Sequence, residues 1–589
     1  MAQSAASRKA RTWLGKLGAA LESQDIAAAL RLFGNECYWR DLVSLTWNIK
    51  TLEGRDDIAR MLAATLPTAR MSGLELFGEA TSSDDGVEAW FSFKTSAARG
   101  IGHVRLKNGK GFTILTTMTE LIGHEEKAGP TREIGIAHGA FKRRQTWLER
   151  KTEDEEALGN TRQPYCVIIG GGQGGVALGA RLKRLGVPTV ILEKNKRAGD
   201  SWRNRYRTLV LHDPVWYDHL PYIPFPDHWP VFTPKDKMGD WLEAYVSLME
   251  LSYWCSSECL KASYDPKSKL WTLNVNRDGR AVVLNPSHLI FATGSYGPPR
   301  EPKIAGRGSF KGEFYHSSRY QTGAPYRGKS CIVIGANSSG HDVAADLWEN
   351  DADVTMIQRT PTAVVRSETL MEHAFAGLYS EQAVQHGISV ERADLIFAST
   401  PFRLMPAAQI PLYDKIAEQD ADLLARLNTA GFLTDLGEDG SGLMMKALRT
   451  GSGYYLDVGC SELIASGKIK VRSKVEVARI KPKSVVLTDS SELPADLIVA
   501  ATGYLPMNEW VAKIISREVA DVIGPNWGYG SGTRGDPGPW EGELRNMWKP
   551  LKHDALWFHG GNLHLSRHYS LYVALQLKAR MEGIPTPVY

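Results

Sequence analysis

The sequence predicts an α/β protein in which two similar α/β units make up most of the chain and a smaller α+β domain precedes them. The main observation is an internal repeat. Each copy consists of an apolar run, a glycine-rich turn and a helical pattern, and the turns begin at Gly170 and at Gly335. Each copy is followed by an apolar strand that ends in Ala-Thr-Gly, at residues 289–294 and 497–503. With 589 residues, the chain is also too long for one hydrophobic core.

The domain order follows from changes in pattern along the chain. A helix-rich start is followed by alternating strands without a glycine-rich turn, which predicts the α+β domain. A charged segment poor in apolar residues then predicts a helical linker. The predicted ranges are 1–125 for the α+β domain, 126–162 for the linker, 163–325 and 501–589 for the first α/β unit, and 326–500 for the second, with a helical insertion at about 370–455.

The first glycine-rich turn follows a strand at 165–169 and opens a helix, and a second strand closes at Glu193. In such a turn the first glycine allows a tight bend, the second lets the backbone approach a pyrophosphate, and the third lets helix and strand pack closely. A carboxylate at the end of the second strand suits a free ribose hydroxyl. We therefore predict a Rossmann-type FAD site, formed by Gly170, Gly172, Gln173, Gly175, Glu193 and Lys194.

The second glycine-rich turn differs from the first at two positions. Asn337 replaces the middle glycine, and Gln358 followed by Arg359 replaces the acidic strand end. A neutral residue beside an arginine suits a 2′-phosphate, which a carboxylate would repel. We therefore predict a second Rossmann-type domain that binds NADPH; the alternative is that Arg359 is an ordinary surface arginine. The predicted contacts are Gly335, Asn337, Ser338, Ser339, Gly340 and Arg359.

Composition and charge weigh against several other classes of protein. The net charge of +4 is small and the basic residues are dispersed, so no nucleic-acid partner is expected. No run approaches the roughly 20 apolar residues of a membrane span. The six cysteines lack metal-ligand spacing, so we expect no metal and a cytoplasmic location. Cys255 and Cys259 have three residues between them, which disfavours a redox-active disulfide.

From about residue 163 onward the chain resembles class B flavin-dependent monooxygenases, the flavin-containing monooxygenase group. The identifying pattern F-x-G-x-x-x-H-x-x-x-Y/F occurs between the two α/β units as Phe310, Gly312, His316 and Tyr320. The similar Baeyer–Villiger enzymes have Trp at the last position, so Tyr320 favours the former group. The resemblance implies a catalytic role for His316 and Tyr320; the alternative is that both are packed linker residues.

Further segments resemble the flavin contacts of this family. They contain Ser201 and Trp202 after Gly199, Thr293 and Thr502-Gly503 in the Ala-Thr-Gly strands, and Asn562-Leu563 near the end. The segments 209–212, 220–226, 232–235, 455–459 and 467–471 resemble plant-type indole-3-pyruvate monooxygenases. His212 stands about where many family members have a catalytic Asn. It is a candidate for flavin contact and catalysis, with a packed or surface histidine as the alternative.

The resemblance implies an FAD- and NADPH-dependent monooxygenase that uses a flavin C4a-(hydro)peroxide and dioxygen to oxygenate a small aromatic or apolar substrate. The reaction would be decarboxylative oxidation of a 2-oxo acid or oxygenation of nitrogen or sulfur. The alternatives are a Baeyer–Villiger enzyme, an NADPH oxidase or flavin reductase without organic substrate, and an assembly protein with a degenerate flavoprotein part.

The N-terminal domain resembles the cone-shaped SnoaL and nuclear-transport-factor-2 fold, which Trp39, Asp41 and His103 could line. For this domain we expect packing or dimerisation, and hence a possible homodimer, rather than catalysis. Because no cofactor residue precedes Gly170, the sequence also predicts that the domain can be removed without loss of FAD binding.

Overall fold

The computed structural model describes residues 4–83, 86–136, 138–140 and 142–589. Two parallel sheets form the centre of the molecule, and a third sheet at the N-terminus packs beside the first of them. Within the described ranges, no helix has the length and the apolar character that a membrane crossing needs.

The N-terminal residues form one mixed sheet with helices on one face. The elements are α1 (Ala5–Glu22), α2 (Ile26–Leu30), β1 (Phe33–Leu42), β2 (Ile49–Glu53), α3 (Gly54–Ala69), β3 (Ser72–Ser83), β4 (Gly86–Lys94), β5 (Ala98–Lys107) and β6 (Lys110–Leu121). The strand order is β2-β1-β6-β5-β4-β3, and within the described part of this sheet only the β1–β6 pair is parallel. Apolar residues of α1 and α3, such as Trp13 and Leu62, fill the core under the helices. The likeness to the SnoaL fold stays a prediction.

The segment that the sequence predicts as a linker contains one helix, α4 (Trp147–Ala157). Thr146 and Glu149 form a capping box at its start, which satisfies free N–H groups of the first turn. None of its side chains is buried, so this helix adds little to the core.

The first α/β unit is built on a five-stranded parallel sheet. Its elements are β7 (Cys166–Ile169), α5 (Gln173–Arg184), β8 (Thr189–Leu192), α6 (Asp200–Arg203), α7 (Lys235–Leu248), β9 (Tyr253–Trp254), β10 (Ser257–Asp265), β11 (Leu270–Arg277), β12 (Arg280–Leu284), β13 (His288–Phe291), α16 (Asn508–Ile514), α17 (Arg517–Ile523), β24 (Leu556–Phe558) and α18 (Leu563–Met581). The strand order is β24-β13-β7-β8-β9. Short apolar strands such as β7 are fully buried because α5 and α18 cover the sheet. A three-stranded antiparallel sheet, β10-β11-β12, extends from it.

The second α/β unit repeats this plan with another five-stranded parallel sheet. Its elements are β14 (Glu313–His316), β15 (Ser330–Ile334), α8 (Ser338–Glu349), β16 (Asp353–Gln358), α15 (Cys460–Ala465), β19 (Lys470–Ser473), the antiparallel strands β20 (Val477–Lys481), β21 (Ser484–Leu487) and β22 (Glu492–Pro494), and β23 (Leu497–Ala500). The strand order is β14-β23-β15-β16-β19.

A mainly helical segment interrupts the second unit between β16 and α15. Its elements are β17 (Ala363–Arg366), α9 (Ser367–Leu370), a π-helical turn (Met371–Phe375), α10 (Glu381–Gln385), α11 (Val390–Ala398), α12 (Met405–Gln419), α13 (Ala421–Thr429), α14 (Gly442–Thr450) and β18 (Tyr454–Asp457). The short strands β17 and β18 pair in parallel and bound the segment. One of its helices, α11, packs against α18 of the first unit.

The N-terminal sheet and the first α/β unit share one hydrophobic core. Leu115 and Met118 of β6 belong to the same buried cluster as Tyr572 and Val573 of α18. The hydroxyl of Thr117 also donates a hydrogen bond to the hydroxyl of Tyr572, at 2.8 Å. The apolar face of β6 is therefore covered by the first α/β unit. That the N-terminal domain can be removed without loss of FAD binding stays a prediction.

Candidate active site and cofactor sites

The two glycine-rich turns have the same backbone geometry. Gly170 has φ +107° and Gly335 has φ +118°, a region that residues with a side chain rarely adopt. A Cβ on Gly170 would lie 2.4 Å from the carbonyl oxygen of Ala292, and one on Gly335 would lie 2.3 Å from that of Ala501. Each turn therefore packs directly on the Ala-Thr-Gly strand that follows its unit, which explains why the two motifs occur together.

The last glycine of each turn brings helix and strand together. A Cβ on Gly175 would lie 2.0 Å from the carbonyl oxygen of Gly170, and one on Gly340 would lie 2.2 Å from that of Gly335. Such distances exclude any side chain, as the sequence predicts for the third glycine.

The middle position of the turn tolerates a side chain. Gly172 has φ −75° and ψ −169°, and Asn337 has φ −101° and ψ −173°, both extended conformations open to any residue. Asn337 therefore does not distort the second turn. The space above Gly172 is also open, with Ser201 Oγ as the nearest atom at 3.6 Å from a built Cβ.

Glu193 lies beside the first turn at the end of β8. Its Oε2 accepts a hydrogen bond from the N–H of Gly171 at 2.9 Å. Its Oε1 accepts from the backbone and side-chain nitrogens of Asn195, at 2.8 and 2.7 Å. These bonds fix the carboxylate next to the turn, while Lys194 is exposed.

The segments predicted to contact flavin converge near the first turn. The side chain of Gln173 donates to the carbonyl oxygen of Gly561 at 3.1 Å and accepts from Trp202 Nε1 at 3.3 Å. Asn562 caps α18 by accepting from the N–H of Leu565 at 2.9 Å, so Leu563 begins that helix. The N-terminal end of a long helix stabilises negative charge placed beside it.

Two hydroxyl groups at this place have unused hydrogen-bonding capacity. Ser201 Oγ and Thr293 Oγ1 are buried and have no hydrogen-bond partner among the described residues. Buried hydroxyl groups are normally paired, so unpaired ones beside an open glycine cradle fit a polar ligand. Gly294 leaves further room, since no atom lies within 4 Å of a built Cβ. The residues present therefore fit FAD.

A cavity of about 660 Å³ opens beside the second turn. It is lined by Gly335, Asn337, Ser338, Ser339, Arg359, Thr502 and Gly503, as the sequence predicts for the NADPH site, and also by Arg300, Lys303, Ser317, Glu476 and Tyr504. Gly340 lies one residue beyond the lining and serves the helix–strand contact. The cavity size, the helix N-terminus and the three cations fit a phosphorylated dinucleotide.

Gln358 does not face this cavity, in contrast to the role that the sequence suggests for it. The side chain is fully buried. Its Nε2 donates to the carbonyl oxygen of Leu433 at 2.9 Å, and its Oε1 accepts from Leu433 N–H and from Ser473 Oγ, both at 2.8 Å. Gln358 therefore joins β16 to the helical segment and to β19, and Arg359 alone presents the strand end to a nucleotide.

His316 of the F-x-G-x-x-x-H-x-x-x-Y/F pattern links residues 310–320, the fingerprint segment, to the second Ala-Thr-Gly strand. Its Nδ1 accepts from the N–H of Ser318 at 3.1 Å, so its Nε2 carries the proton and donates to the carbonyl oxygen of Gly503 at 2.9 Å. Burial lowers the pKa of His316, which keeps the ring neutral. Ser317 and Gly503 line the cavity, whereas His316 does not, so His316 positions these lining residues of the predicted NADPH site.

Tyr320 is buried away from the cavity lining. Its hydroxyl donates to Asp346 Oδ2 at 2.5 Å, and the N–H of Gly323 donates to the same oxygen at 2.6 Å. Burial, and then the bond to Asp346, raises the pKa of Tyr320 far above its usual range. This geometry favours a positioning role, in which Tyr320 fixes the fingerprint segment on α8, over the catalytic role that the sequence suggests.

His212 lies between the two α/β units. Its Nε2 is 3.6 Å from Asp342 Oδ1 on α8, and its ring meets Tyr455 edge-on at 6.3 Å. Tyr206 also donates a hydrogen bond to Asp342. The histidine therefore lies at the boundary between the two α/β units; its catalytic role stays a prediction.

A buried polar cluster near Asn562 has no counterpart in the sequence prediction. Asp394 of α11 receives two hydrogen bonds from Arg567 of α18, both at 2.9 Å, and lies 3.2 Å from His564 Nε2. Burial raises the pKa of Asp394, but the charge of Arg567 and then that of His564 hold it well below the usual range. Asp394 and Arg567 are far apart in sequence, so only their acidic and basic character could have suggested the pair.

The N-terminal candidates serve packing. Asp41 Oδ2 accepts from the N–H groups of Leu45 and Thr46 and from the hydroxyl of Thr46, while Oδ1 accepts from Thr116. Trp39 Nε1 donates to the same Thr116 hydroxyl at 2.9 Å. A saturated buried carboxylate of this kind stabilises a loop. His103 packs on Trp90, with ring centroids 4.5 Å apart.

The fold and the site define a protein with two dinucleotide sites, one shaped for FAD and one for a phosphorylated nicotinamide coenzyme. All six cysteines are free in the structure, and the spacing of Cys255 and Cys259 disfavours a redox-active disulfide. Residues 267–392 nevertheless match the family model described as pyridine nucleotide-disulphide oxidoreductase. Among solved structures, cyclohexanone monooxygenase bound to epsilon-caprolactone has a TM-score of 0.51 at 19% identity, over 71% of this chain and 88% of that one. OTEMO in complex with FAD and NADP has a TM-score of 0.50 at 19% identity, over 72% and 86%. These two likenesses show the fold.

Similarity to curated proteins defines the family of the chain more closely than the fold does. It is 30% identical to the indole-3-pyruvate monooxygenase YUCCA1 of Oryza sativa over 366 residues, which cover 62% of this chain and 79% of that protein. It is 32% identical to the probable indole-3-pyruvate monooxygenase YUCCA7 of Arabidopsis thaliana over 346 residues, which cover 57% and 73%. The chain belongs to the flavin-dependent monooxygenase family that includes these proteins. It is an NADPH-dependent flavoprotein monooxygenase.

Proposed function

We propose that this enzyme oxygenates an aromatic 2-oxo acid, which loses carbon dioxide and becomes the carboxylic acid with one carbon fewer. The observation that carries the proposal is the 30% identity over 366 residues to an indole-3-pyruvate monooxygenase. The reaction balances when the 2-oxo acid, dioxygen, NADPH and a proton give the shortened acid, carbon dioxide, water and NADP⁺. When bound, FAD supplies hydride acceptance and oxygen activation.

The environment of Asn562 supports an aromatic substrate. Tyr217 stacks on His564 with ring centroids 4.5 Å apart, and Asn562 Nδ2 donates to the hydroxyl of Tyr217 at 3.5 Å. Phe375 and Tyr379 of the helical segment pack against the same tyrosine. These aromatic contacts join the helical segment to the loop at residues 560–562, which is predicted to contact flavin. Under the proposal they keep water out of that side of the site.

The chain's own residues hold the cofactors under this proposal. Residues 163–325 and 501–589 bind FAD through the first turn, Glu193 and the Asn562 end of α18. Residues 326–500 bind NADPH through the second turn and Arg359, with residues from about 370 to 455 over the substrate. His212, between the two parts, is the candidate for contact with the reacting groups.

The second candidate reaction is oxygenation of a soft nitrogen or sulfur nucleophile. Tyr320 favours it over ester formation from ketones, because the Baeyer–Villiger enzymes have Trp at that position. We also propose a cytoplasmic location, which the six free cysteines support. A homodimer is the further expectation for the N-terminal domain.

The test supplies indole-3-pyruvate, a thioether and a cyclic ketone separately under ¹⁸O-labelled dioxygen. Labelled indole-3-acetate with carbon dioxide supports the main proposal, and a labelled sulfoxide supports the second candidate. Lactone formation alone identifies a Baeyer–Villiger enzyme. NADPH oxidation that yields only hydrogen peroxide with every compound identifies an oxidase.

A further inference from the structure

Arg40 of the N-terminal sheet reaches three separate segments of the flavoprotein part. It is 1% exposed. Its Nε and Nη2 donate to the two carboxylate oxygens of Glu543, each at 2.7 Å. Nη1 donates to the carbonyl oxygen of Ala398 at 2.7 Å, and Nη2 also donates to the hydroxyl of Tyr569 at 3.1 Å. A planar guanidinium with fixed donors can make this set of bonds, whereas an ammonium cannot.

The contact with Tyr569 leads to the loop at residues 560–562, which is predicted to contact flavin. The ring of Tyr569 stacks on Trp548, with centroids 3.9 Å apart and planes 7° from parallel. Trp548 Nε1 donates to the carbonyl oxygen of Gly560 at 3.0 Å. Gly560 has φ +149°, and a Cβ there would lie 2.5 Å from the carbonyl oxygen of Gly294. The loop before Asn562 is therefore held between the first Ala-Thr-Gly strand and Trp548.

The contact with Ala398 leads to the helical segment. Ala398 is the last residue of α11, and Asp394 one turn earlier is bound by Arg567. Arg567 also donates to the carbonyl oxygens of Tyr217 and His219, at 2.8 and 2.6 Å. Two buried arginines therefore fix α11 on the flavin side, one from α18 and one from the N-terminal sheet.

We infer that the N-terminal domain supports the flavin site, and that Arg40 is the residue through which it positions that site. Arg40 sets the Gly560 loop through Tyr569 and Trp548, and it sets the end of α11 directly. The domain thereby contributes to FAD affinity and to the retention of activated oxygen, although none of its residues belongs to a glycine-rich turn. This inference requires that the enzyme binds FAD, and it is independent of the substrate proposed above.

The test uses the full-length protein with Arg40→Lys, Trp548→Phe and their double variant. Thr117→Val is the matched control, because Thr117 hydrogen-bonds Tyr572 in the same interface and takes no part in the hydrogen bonds of Arg40, Tyr569 and Trp548. FAD dissociation constants come from flavin fluorescence, and the visible circular dichroism of bound flavin reports its environment. Peroxide released per NADPH gives a third measurement.

Each single variant is expected to raise the FAD dissociation constant about fivefold or more, with the double variant close to the larger single effect, because the residues act in one chain of contacts. The flavin dichroism should change and peroxide release should rise. Thr117→Val should stay within about twofold of the unchanged protein for all three. The inference would be overturned if Arg40→Lys lowered the melting temperature but left the FAD affinity and the flavin dichroism equal to those of the control. Should Arg40→Lys fail to fold, Tyr569→Phe removes only the hydroxyl link, and unchanged FAD affinity in that variant would overturn the inference as well.

Discussion

Arg359 and Glu476 face each other at the NADPH cavity, with 3.8 Å between Nη1 and Oε1. Both side chains are more than half exposed, at 69% and 58%, so water weakens their attraction. The guanidinium thus remains available to a 2′-phosphate, while the carboxylate opposes one. The two residues should affect coenzyme preference in opposite directions.

Arg359→Ala is expected to weaken NADPH binding about tenfold, since a charge-assisted phosphate contact typically contributes ~1.5 kcal/mol at an exposed site. NADH binding should change little, because NADH lacks the phosphate. Titration calorimetry with both coenzymes measures the difference. Glu476→Gln is the matched control and should strengthen NADPH binding; equal losses for NADPH and NADH in Arg359→Ala would refute the assignment.

Removal of the N-terminal domain should disrupt the flavoprotein part. A chain that starts near residue 160 exposes Tyr569, Tyr572 and the apolar residues that β6 covers, and such surfaces promote aggregation. We expect an insoluble or flavin-free product by size-exclusion chromatography and absorbance. Co-expression of residues 1–125 as a second chain should restore solubility. A monodisperse truncated protein loaded with FAD would contradict this expectation.

Asp218 is 1% exposed, and neither carboxylate oxygen has a hydrogen-bond partner in the described chain. Burial, and then the nearby Asp213, raise the pKa of Asp218 well above its usual range, although Arg567 opposes the shift. The folded state therefore retains a proton that the unfolded chain releases above about pH 3.9, so this group costs stability as pH rises. Asp218→Asn should raise the urea midpoint more at pH 8 than at pH 5. An equal gain at both values would show that Asp218 is ionised in the folded protein.

Tyr320→Phe should lower stability by about 1 kcal/mol through loss of one buried hydrogen bond. The distribution of oxygenated products should stay the same, because the hydroxyl contacts Asp346 and not the cavity. Thermal denaturation tests the expected loss of stability, and analysis of the labelled products tests the expected product distribution. A changed product distribution with an unchanged melting temperature would restore the catalytic interpretation of Tyr320.

Local patterns made the two dinucleotide units predictable. Strand, glycine turn and helix are adjacent in the sequence, and their geometry depends on a few backbone positions such as Gly170 and Gly335. The Ala-Thr-Gly motif repeats in the same order as the turns, and the structure adds that each turn packs on it, at Ala292 and at Ala501. The positions of Glu193 and Arg359 at strand ends followed from the same register.

Contacts between distant segments were not predictable from those patterns. Arg40 and Glu543 are 503 residues apart, and neither lies in a motif. The direction of the Gln358 side chain depends on Leu433, 75 residues later. The local pattern therefore predicted, wrongly, that this side chain faces the nucleotide. The shared core behind β6 was missed for a similar reason, since an amphipathic strand does not reveal what covers it.

The inward orientation of Gln358 also bears on attempts to redesign coenzyme preference. The usual exchange places an acidic residue at this strand end, but a glutamate at 358 would replace the amide donor to the carbonyl oxygen of Leu433 with a carboxylate oxygen. Two acceptors would then face each other in a buried space, and the contact between β16 and the helical segment would be weakened. A designer who wants an NADH-dependent variant should therefore leave Gln358 unchanged and work at the exposed neighbours of Arg359.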